Sequence, residues 1–201
     1  MGKTVLTPNQ FNFLELAQAD PYVVKNYYLT GGTALAAFYY QHRLSEDIDL
    51  FCEKVEVNPS LTDSFLEKIK KKLKLVKRNR SQMLGLVSYK LIFKNLEIDS
   101  VYDIAVNKVH TIFMKPRVRD FFDLYYILKI EKNYNLQKLI LDAKAKFDWH
   151  IDRMNLSSQF LRVGEFLKTK DLPRALVRYN PKEMEDFFLN LAKSLEKEIF
   201  E

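Results

Sequence analysis

The sequence predicts an α+β fold in which a mixed half precedes a helical half. Residues 1–102 combine helical periodicity with short strand-like runs, whereas from residue 103 onward only helical periodicity appears. Strands and helices that are segregated along the chain are typical of α+β proteins. We therefore predict an α/β core over residues 1–102 and a helical C-terminal part, packed on that core, over residues 103–201.

The composition is that of a globular protein with a sizeable apolar core. Hydrophobic residues make up 47% of the 201 residues. The sequence shows neither a signal-peptide pattern nor an apolar run of about 18 residues, so we expect a cytoplasmic protein that does not enter a membrane. A single cysteine, Cys52, excludes an intramolecular disulfide and a cysteine-based zinc site. The histidines His42, His110 and His150 show no metal-ligand spacing, and we expect ordinary surface or partly buried side chains.

The net charge of +6 is unevenly distributed. Between Lys68 and Arg80 there are eight basic residues and no acidic one. The basic residues are Lys68, Lys70, Lys71, Lys72, Lys74, Lys77, Arg78 and Arg80. Such a run is either the solvated face of a helix or a patch that contacts the phosphates of a nucleotide or polynucleotide. The sequence leaves both interpretations open.

The first half begins with a helix whose start is marked by a capping box. Thr7 is followed by Pro8 and then by Gln10 at the third helical position, a pattern that stabilises a helix N-terminus. Asp20-Pro21 ends that helix. The next predicted elements are a strand at 27–29, a helix at 33–42, a strand at 48–51, a helix at 61–75, and strands at 84–93 and 96–101. The helix at 61–75 has an apolar stripe formed by Leu61, Phe65, Ile69 and Leu73.

The second half is predicted to be entirely helical. The predicted spans are 103–114, 119–132, 136–148, 152–169 and 181–199. Asn180, Pro181 and Glu183 repeat the cap, the first-turn proline and the third-position polar residue seen at the start of the chain.

Two carboxylates, Asp47 and Asp49, form the acid pair on which the chemical interpretation depends. On a strand they share one face, while Ile48 and Leu50 point into the core. Two like charges this close repel each other unless a cation lies between them. Hard oxygen ligands suit Mg²⁺ or Mn²⁺. The spacing therefore predicts a divalent metal site.

The glycines Gly31 and Gly32 lie between a predicted strand and a predicted helix. Because glycine has no Cβ, the backbone there can approach a phosphate, and the helix that starts at Thr33 offers unpaired N–H groups. A phosphate-binding turn and a metal-binding acid pair are what phosphoryl transfer requires. Asp99 is the candidate for a third metal-binding carboxylate, and Glu97, on the same strand face, is the alternative.

A second group of charged residues lies further along the chain. Asp120 and Asp123 share one face near the N-terminus of a helix. In one interpretation Asp120 caps the helix and pairs with Arg117 or Arg119. In the other, Lys108 is a phosphate or transition-state ligand, and Asp120 or Asp123 is either a base or the residue that orients Lys108.

These motifs together resemble the AbiEii/AbiGii toxin family of nucleotidyltransferases. The resemblance rests on Gly31-Gly32-Thr33-Ala34-Leu35, on Arg43-x-Ser45-x-Asp47-x-Asp49-Leu50-Phe51, on Lys108, and on Arg119-Asp120-Phe121-x-Asp123-Leu124-Tyr125. It runs from about residue 29 to residue 128, roughly half of the chain.

The resemblance implies a polymerase-β-like nucleotidyltransferase core with a mixed β-sheet, followed by a C-terminal helical bundle. It implies an NTP substrate, Mg²⁺, and toxin activity in a bacterial toxin–antitoxin or phage-defence pair. An RNA acceptor such as tRNA and an antitoxin protein are the implied partners. The residues it places at functional positions are Ser45, Asp47, Asp49, Lys108 and Asp120 or Asp123, with Arg43 as a phosphate ligand.

Two other functions compete with nucleotide transfer. One is a catalytically inactive relative that only binds a nucleotide or a partner, but such a protein has no chemical need for Asp47 and Asp49. The other is a metal-dependent nuclease, but phosphodiester hydrolysis needs neither the Gly31-Gly32 turn nor Lys108 for a triphosphate.

Overall fold

The computed structural model describes residues 5–52, 59–73 and 98–200, except for the side chains of residues 59, 62, 70–73 and 198–200. The chain divides into two compact units. The first comprises residues 1–39 and 45–99, and the second comprises residues 40–44 and 100–201. The described residues are mostly helical and include a small sheet, as expected for the α+β class.

The first unit begins with helix α1 (Pro8–Gln18), which has the predicted capping box. The Gln10 amide donates to Thr7 Oγ1 over 3.2 Å, and the Thr7 amide donates to Gln10 Oε1 over 2.8 Å. Asp20 lies after the end of α1, as predicted, but it also caps a short helix α2 (Pro21–Asn26) that the sequence did not predict. The Asp20 carboxylate accepts from the amide of Tyr22 over 3.0 Å, so the same residue separates the two helices.

Two short strands, β1 (Tyr28–Thr30) and β2 (Asp49–Phe51), pair antiparallel. The register places Leu29 opposite Leu50 and Thr30 opposite Asp49. On its other side, Leu29 forms a parallel bridge with Ile98. The strand β1 therefore lies between β2 and the backbone at residue 98.

The strand predicted at 84–93 and the start of the strand predicted at 96–101 fall on residues that the structure does not describe. Residues 84–97 lie outside the described residues. The strand predicted at 96–101 was too long, because Ser100 caps a helix that begins at Val101.

Helix α3 (Gly31–Ala34) follows β1 directly and continues as a π-helical turn, Leu35–Tyr40. Helix α4 (Pro59–Leu73) matches the helix predicted at 61–75. Its apolar stripe is buried at Phe65 and Ile69, whereas Leu61 is 46% exposed. The first turn of α4 therefore lies outside the apolar core.

The second unit is helical in the spans that the sequence predicted. Its helices are α5 (Val101–Met114), α6 (Val118–Ile130), α7 (Leu136–Phe147), α8 (Arg153–Leu161), α9 (Val163–Phe166) and α10 (Pro181–Phe200). The single helix predicted at 152–169 is divided at Arg162 into α8 and α9. Helix α5 packs on α6 and α7, and α10 packs on α8. The core is aromatic: Phe188 contacts Phe121 and Phe160, both with ring centroids 5.3 Å away.

The segment Tyr40–Leu44 belongs to the second unit, where it pairs with the backbone before α10. Arg43 forms an antiparallel bridge with Ala175. The amide of Leu44 donates to the carbonyl of Arg174 over 2.9 Å, and the amide of Leu176 donates to the carbonyl of His42 over 2.8 Å. These bonds fix the backbone from which His42 and Arg43 project.

A membrane-spanning helix was not expected, and none of the helices in the described ranges has the length and hydropathy of one.

Candidate active site

The carboxylate of Asp49 lies against the backbone of Gly31. Gly31 has φ +72°, a conformation that favours glycine. A Cβ added there would stand 2.8 Å from Cγ of Asp49 and nearer still to Oδ2. The absence of a side chain at residue 31 was predicted to leave room for a phosphate. In the structure the Asp49 carboxylate occupies that room.

Asp47 and Asp49 are both exposed, but only Asp49 belongs to the strand. Because β2 begins at Asp49, strand alternation does not determine where Asp47 points. Leu50 is buried as predicted, whereas Ile48 is only half-buried. The position of Asp47 is set by the loop that precedes β2.

Thr33 and Ser45, predicted to bind nucleotide, are buried residues that hold this loop. Thr33 Oγ1 is hydrogen-bonded to Ser45 Oγ over 2.7 Å and also to the backbone carbonyl of Asp47. The carbonyl of Ser45 accepts from Gln10 Nε2 over 2.7 Å. Thr33 is fully buried and Ser45 is 6% exposed. The contacts observed for both hydroxyls therefore hold the backbone at Asp47.

Asp99 is anchored beside β1. Its Oδ2 accepts from Thr30 Oγ1 over 2.6 Å, its amide donates to the carbonyl of Leu29, and its carbonyl accepts from Tyr39 Oη over 2.9 Å. It is only 4% exposed. Thr30 is therefore the ladder partner of Asp49 and the hydrogen-bond partner of Asp99.

The three predicted metal ligands do not form one group. Within residues 5–52, 59–73 and 98–200, no three His, Cys, Asp or Glu residues are gathered closely enough to hold a metal ion. Asp99 is thus not placed with the acid pair as a third ligand, and Glu97 lies outside the described residues. Asp47 and Asp49 still fit Mg²⁺, since Mg²⁺ is usually bound by one or two carboxylates together with substrate phosphates.

In the second unit, Asp123 is the centre of a buried charge cluster that also contains His42, Arg43, Lys108 and Asp120. Its Oδ1 accepts from Arg43 Nε over 2.6 Å and from His42 Nε2 over 2.8 Å. Its Oδ2 accepts from Arg43 Nη2 and contacts Lys108 Nζ, each over 2.8 Å. Asp123 is fully buried. Four donors thus surround the two oxygens of one carboxylate.

Asp120 contacts both Arg117 and Lys108. Its Oδ2 accepts from the amide of Arg117 over 3.3 Å and from Arg117 Nε over 3.1 Å, which caps α6. Its Oδ1 accepts from Lys108 Nζ over 2.8 Å. Lys108, which is 6% exposed, is therefore held between two buried carboxylates on successive turns of α6.

The electrostatics of the cluster favour the ionised forms of Asp123, Asp120 and Lys108. Burial would raise the pKa of Asp123, but the charges of Lys108 and Arg43, with the hydrogen bonds from Arg43 and His42, hold that pKa well below its usual value. For Asp120, burial is likewise outweighed by Lys108 and Arg117, so its pKa is lowered. Burial would lower the pKa of Lys108, yet the two aspartates raise it.

This geometry favours one of the two roles considered for Asp123. A general base needs an oxygen that can receive a proton from a reacting group. A carboxylate has about four acceptor positions, and donors already surround Asp123. Its lowered pKa makes proton uptake still less favourable. The contacts of Asp123 therefore favour the prediction that it orients Lys108 over the prediction that it is a base.

Arg43, predicted to be a phosphate ligand, is turned toward Asp123 in the structure. Besides its two bonds to Asp123, it donates from Nη1 to the carbonyl of Leu44 over 2.9 Å. The residue is 3% exposed. Each guanidinium nitrogen thus donates within the protein, and the observed contact of the Arg43 fork is with Asp123.

Sequence reasoning missed His42, which is neither exposed nor ordinary. It is 1% exposed, it touches Asp123, and its ring stacks on Phe122 with centroids 5.8 Å apart and an interplanar angle of 15°. The only signal in the sequence is its position next to Arg43.

The acid pair and the charge cluster both lie within a match to a known protein family. A sequence model of the family described as nucleotidyl transferase AbiEii toxin, type IV toxin–antitoxin system, matches residues 16–97 and 88–197. The chain belongs to the AbiEii family. It is accordingly a nucleotidyltransferase, and the resemblance first seen over residues 29–128 extends over most of the chain.

Two solved structures share the AbiEii chain's fold. JHP933 from Helicobacter pylori is 18% identical, with a TM-score of 0.52 over 98% of this chain and 94% of its own. A second H. pylori protein, provisionally assigned as a nucleotidyltransferase, is 20% identical, with a TM-score of 0.50 over 96% of this chain and 97% of its own. At these identities the likeness concerns the fold alone. No curated protein matches the sequence.

Proposed function

We propose that this AbiEii nucleotidyltransferase uses a divalent metal, Mg²⁺ or Mn²⁺, to transfer a nucleotide from an NTP to an RNA acceptor. The observation that carries the proposal is the exposed acid pair, Asp47 and Asp49, placed at the Gly31 turn. Exposed carboxylates provide hard oxygen ligands for a divalent cation, and that cation can also bind the substrate phosphates.

In this proposal Asp47 and Asp49 hold the metal. When bound, the metal would offset negative charge on the triphosphate and favour departure of pyrophosphate. Thr33 and Ser45 hold the loop that presents Asp47, and Gly31 leaves room for the Asp49 carboxylate. Asp99, bonded to Thr30, braces the neighbouring strand.

We assign to Lys108 a contact with substrate phosphate. An ammonium group has three protons, and two of them suffice for the carboxylates of Asp120 and Asp123. The third can be donated to a phosphate oxygen. Because the aspartates raise its pKa, Lys108 stays a cation throughout the neutral range.

The RNA acceptor is proposed from the family and from the basic stretch between Lys68 and Arg80, and the antitoxin partner is proposed from the family alone. Lys68 Nζ lies 3.2 Å from Asp20 Oδ2, so its charge is partly compensated within the first unit. The side chains of residues 70–72 and all of residues 74–80 lie outside what the structure describes. The stretch is proposed as an RNA contact on the strength of its sequence.

The decisive experiment is a transfer assay with each of the four labelled NTPs and total RNA, with and without Mg²⁺. Label transferred to RNA only with Mg²⁺ supports the proposal. Binding of NTP without transfer would indicate an inactive relative, and degradation of RNA without NTP would indicate a nuclease. Replacing the lysines at 70, 71, 72 and 74 by Gln should weaken RNA binding and flatten its salt dependence, while NTP affinity holds.

A further inference from the structure

We propose that His42 is a positioning residue for nucleotide transfer, because it fixes the Asp123 carboxylate that holds Lys108. The proposal rests on the phosphate contact assigned to Lys108 above. It gives a role to a side chain that is buried, hydrogen-bonded to a charged group and placed beside Arg43.

The first step is the direction of the hydrogen bond. An ionised carboxylate has no proton to give, so His42 Nε2 must donate to Asp123 Oδ1 across their 2.8 Å separation. The other ring nitrogen, Nδ1, is buried and has no hydrogen-bond partner among the described residues. The imidazole therefore has a single polar contact, and that contact is Asp123.

The second step is what holds the ring in place. Aromatic side chains surround it: Phe122 is stacked on it, Tyr126 lies with its centroid 5.3 Å away, and Tyr40 with its centroid 6.2 Å away. The backbone carbonyl of His42 is also bonded to the amide of Leu176. A ring packed against three aromatic side chains and fixed at its backbone is a rigid donor.

The third step concerns the two oxygens of Asp123. His42 engages Oδ1, whereas Lys108 engages Oδ2, and Arg43 bridges both. By occupying Oδ1, His42 opposes rotation of the carboxylate and leaves Oδ2 aimed at the ammonium group. Lys108 has a flexible four-carbon stem, so the position of its Nζ depends on its acceptors, and small displacements of a ligand-binding group are costly to catalysis.

If the role of His42 were purely structural, its ring would serve only to pack against Phe122, Tyr126 and Tyr40. Two substitutions separate that role from the positioning of Asp123. His42→Phe keeps a ring for stacking but removes the donor. His42→Gln removes the ring but keeps an amide N–H that can reach Oδ1. His110→Phe is the matched control, because His110 is also buried and stacks on Phe147 with centroids 4.0 Å apart, but lies outside the charge cluster.

The experiment uses the full-length protein and measures transfer kinetics, thermal midpoint and the ¹⁵N resonance of the Lys108 Nζ, which is identified by its loss in Lys108→Met. We expect His42→Phe to lower kcat by about 10- to 100-fold and to shift the Lys108 resonance. His42→Gln should stay within a few-fold of wild type. His110→Phe should change neither kcat nor the resonance.

Wild-type kcat and an unmoved Lys108 resonance in His42→Phe would overturn the proposal, as would a His42→Gln protein that is no better than His42→Phe. His42→Leu replaces His42→Phe if the latter does not fold. A fully active Lys108→Met protein would refute the phosphate role of Lys108 instead. The resonance alone would then decide whether His42 positions that amine.

Discussion

The carboxylate of Asp49 stands where a side chain at residue 31 would begin, so Gly31 and Asp49 share one small volume at the candidate active site. Their closeness follows from the pairing of Thr30 with Asp49 and from the positive φ of Gly31, which turns the chain into α3. The glycine that the backbone conformation requires thereby also determines where the Asp49 carboxylate, a proposed metal ligand, can lie.

The first prediction is that Gly31→Ala lowers both activity and stability. The positive φ alone costs about 1–3 kcal/mol for a residue with a Cβ, and the overlap displaces Asp49. Gly164→Ala is the matched control: its Cβ would meet the flexible end of the Glu185 side chain, with no positive φ. Urea unfolding and Mg²⁺-dependent transfer measure the two effects. Equal losses in both variants would contradict the importance of the Gly31–Asp49 contact.

The second prediction concerns the acid pair itself. Asp47→Asn and Asp49→Asn should each abolish transfer while the protein remains folded, because removing one of two neighbouring like charges does not destabilise it. Transfer kinetics and circular dichroism give the two measurements. A double variant that transfers at the wild-type rate would exclude a metal-binding role for the pair.

The third prediction is that Asp123→Asn strongly destabilises the second unit. It would leave Arg43 and Lys108 buried with one carboxylate fewer, and breaking a buried ionic group in this way costs about 3–5 kcal/mol. Asp142→Asn is the control, because Asp142 pairs with Lys138 at the surface, where ion pairs contribute at most about 1 kcal/mol. Urea denaturation of both variants tests the difference, and similar losses would argue against the cluster as a source of stability.

The fourth prediction is the pH dependence of stability. Because the pKa values of Asp120 and Asp123 are lowered, their contribution is complete above the usual carboxyl value of 3.8 and is lost as pH falls toward the folded-state values. Because the pKa of Lys108 is raised, its contribution is complete below 10.5 and is lost as pH rises through the folded-state value.

This prediction is best measured by urea unfolding across pH in a His110→Phe background. Burial lowers the pKa of His110 from its usual value of 6.5. In the wild type, protonation of His110 therefore reduces the free energy of unfolding as pH falls below 6.5. That loss would overlap with the loss caused by protonation of Asp120 and Asp123. In the variant, stability should hold between about pH 5 and 9 and fall on both sides. If the decrease in the free energy of unfolding of the His110→Phe variant were already complete at about pH 5, the ion pairs of Asp120 and Asp123 could not be its cause.

The fifth prediction concerns the toxin. Expression of the wild-type protein alone should slow bacterial growth, and Asp49→Asn should restore growth, since the family is one of nucleotidyltransferase toxins. Growth curves at matched protein levels provide the measurement. Equal inhibition by the two proteins would mean that toxicity does not require the transfer chemistry.

Local patterns predicted the elements well. The capping box at Thr7, the cap and proline of the last helix, and the apolar periodicity of the second half act within a few residues, so they can be read from the chain. The predicted domain boundary at residues 102 and 103 and the site roles stay predictions, although the structure assigns residues 40–44 to the second unit. Backbone pairing with residues 174–176, distant in sequence, is the cause.

What the sequence by itself determined is the family and most of the helices, together with a set of charged residues proposed for the site. It could not determine which charges meet, because that depends on contacts between residues far apart in the chain. Arg43 and Asp123, 80 positions apart, form a bidentate pair, although the sequence patterns predicted separate roles for them as a phosphate ligand and as a base or orienter of Lys108. His42, an ordinary residue by sequence, became a partner of Asp123 only when aromatic packing placed its ring there.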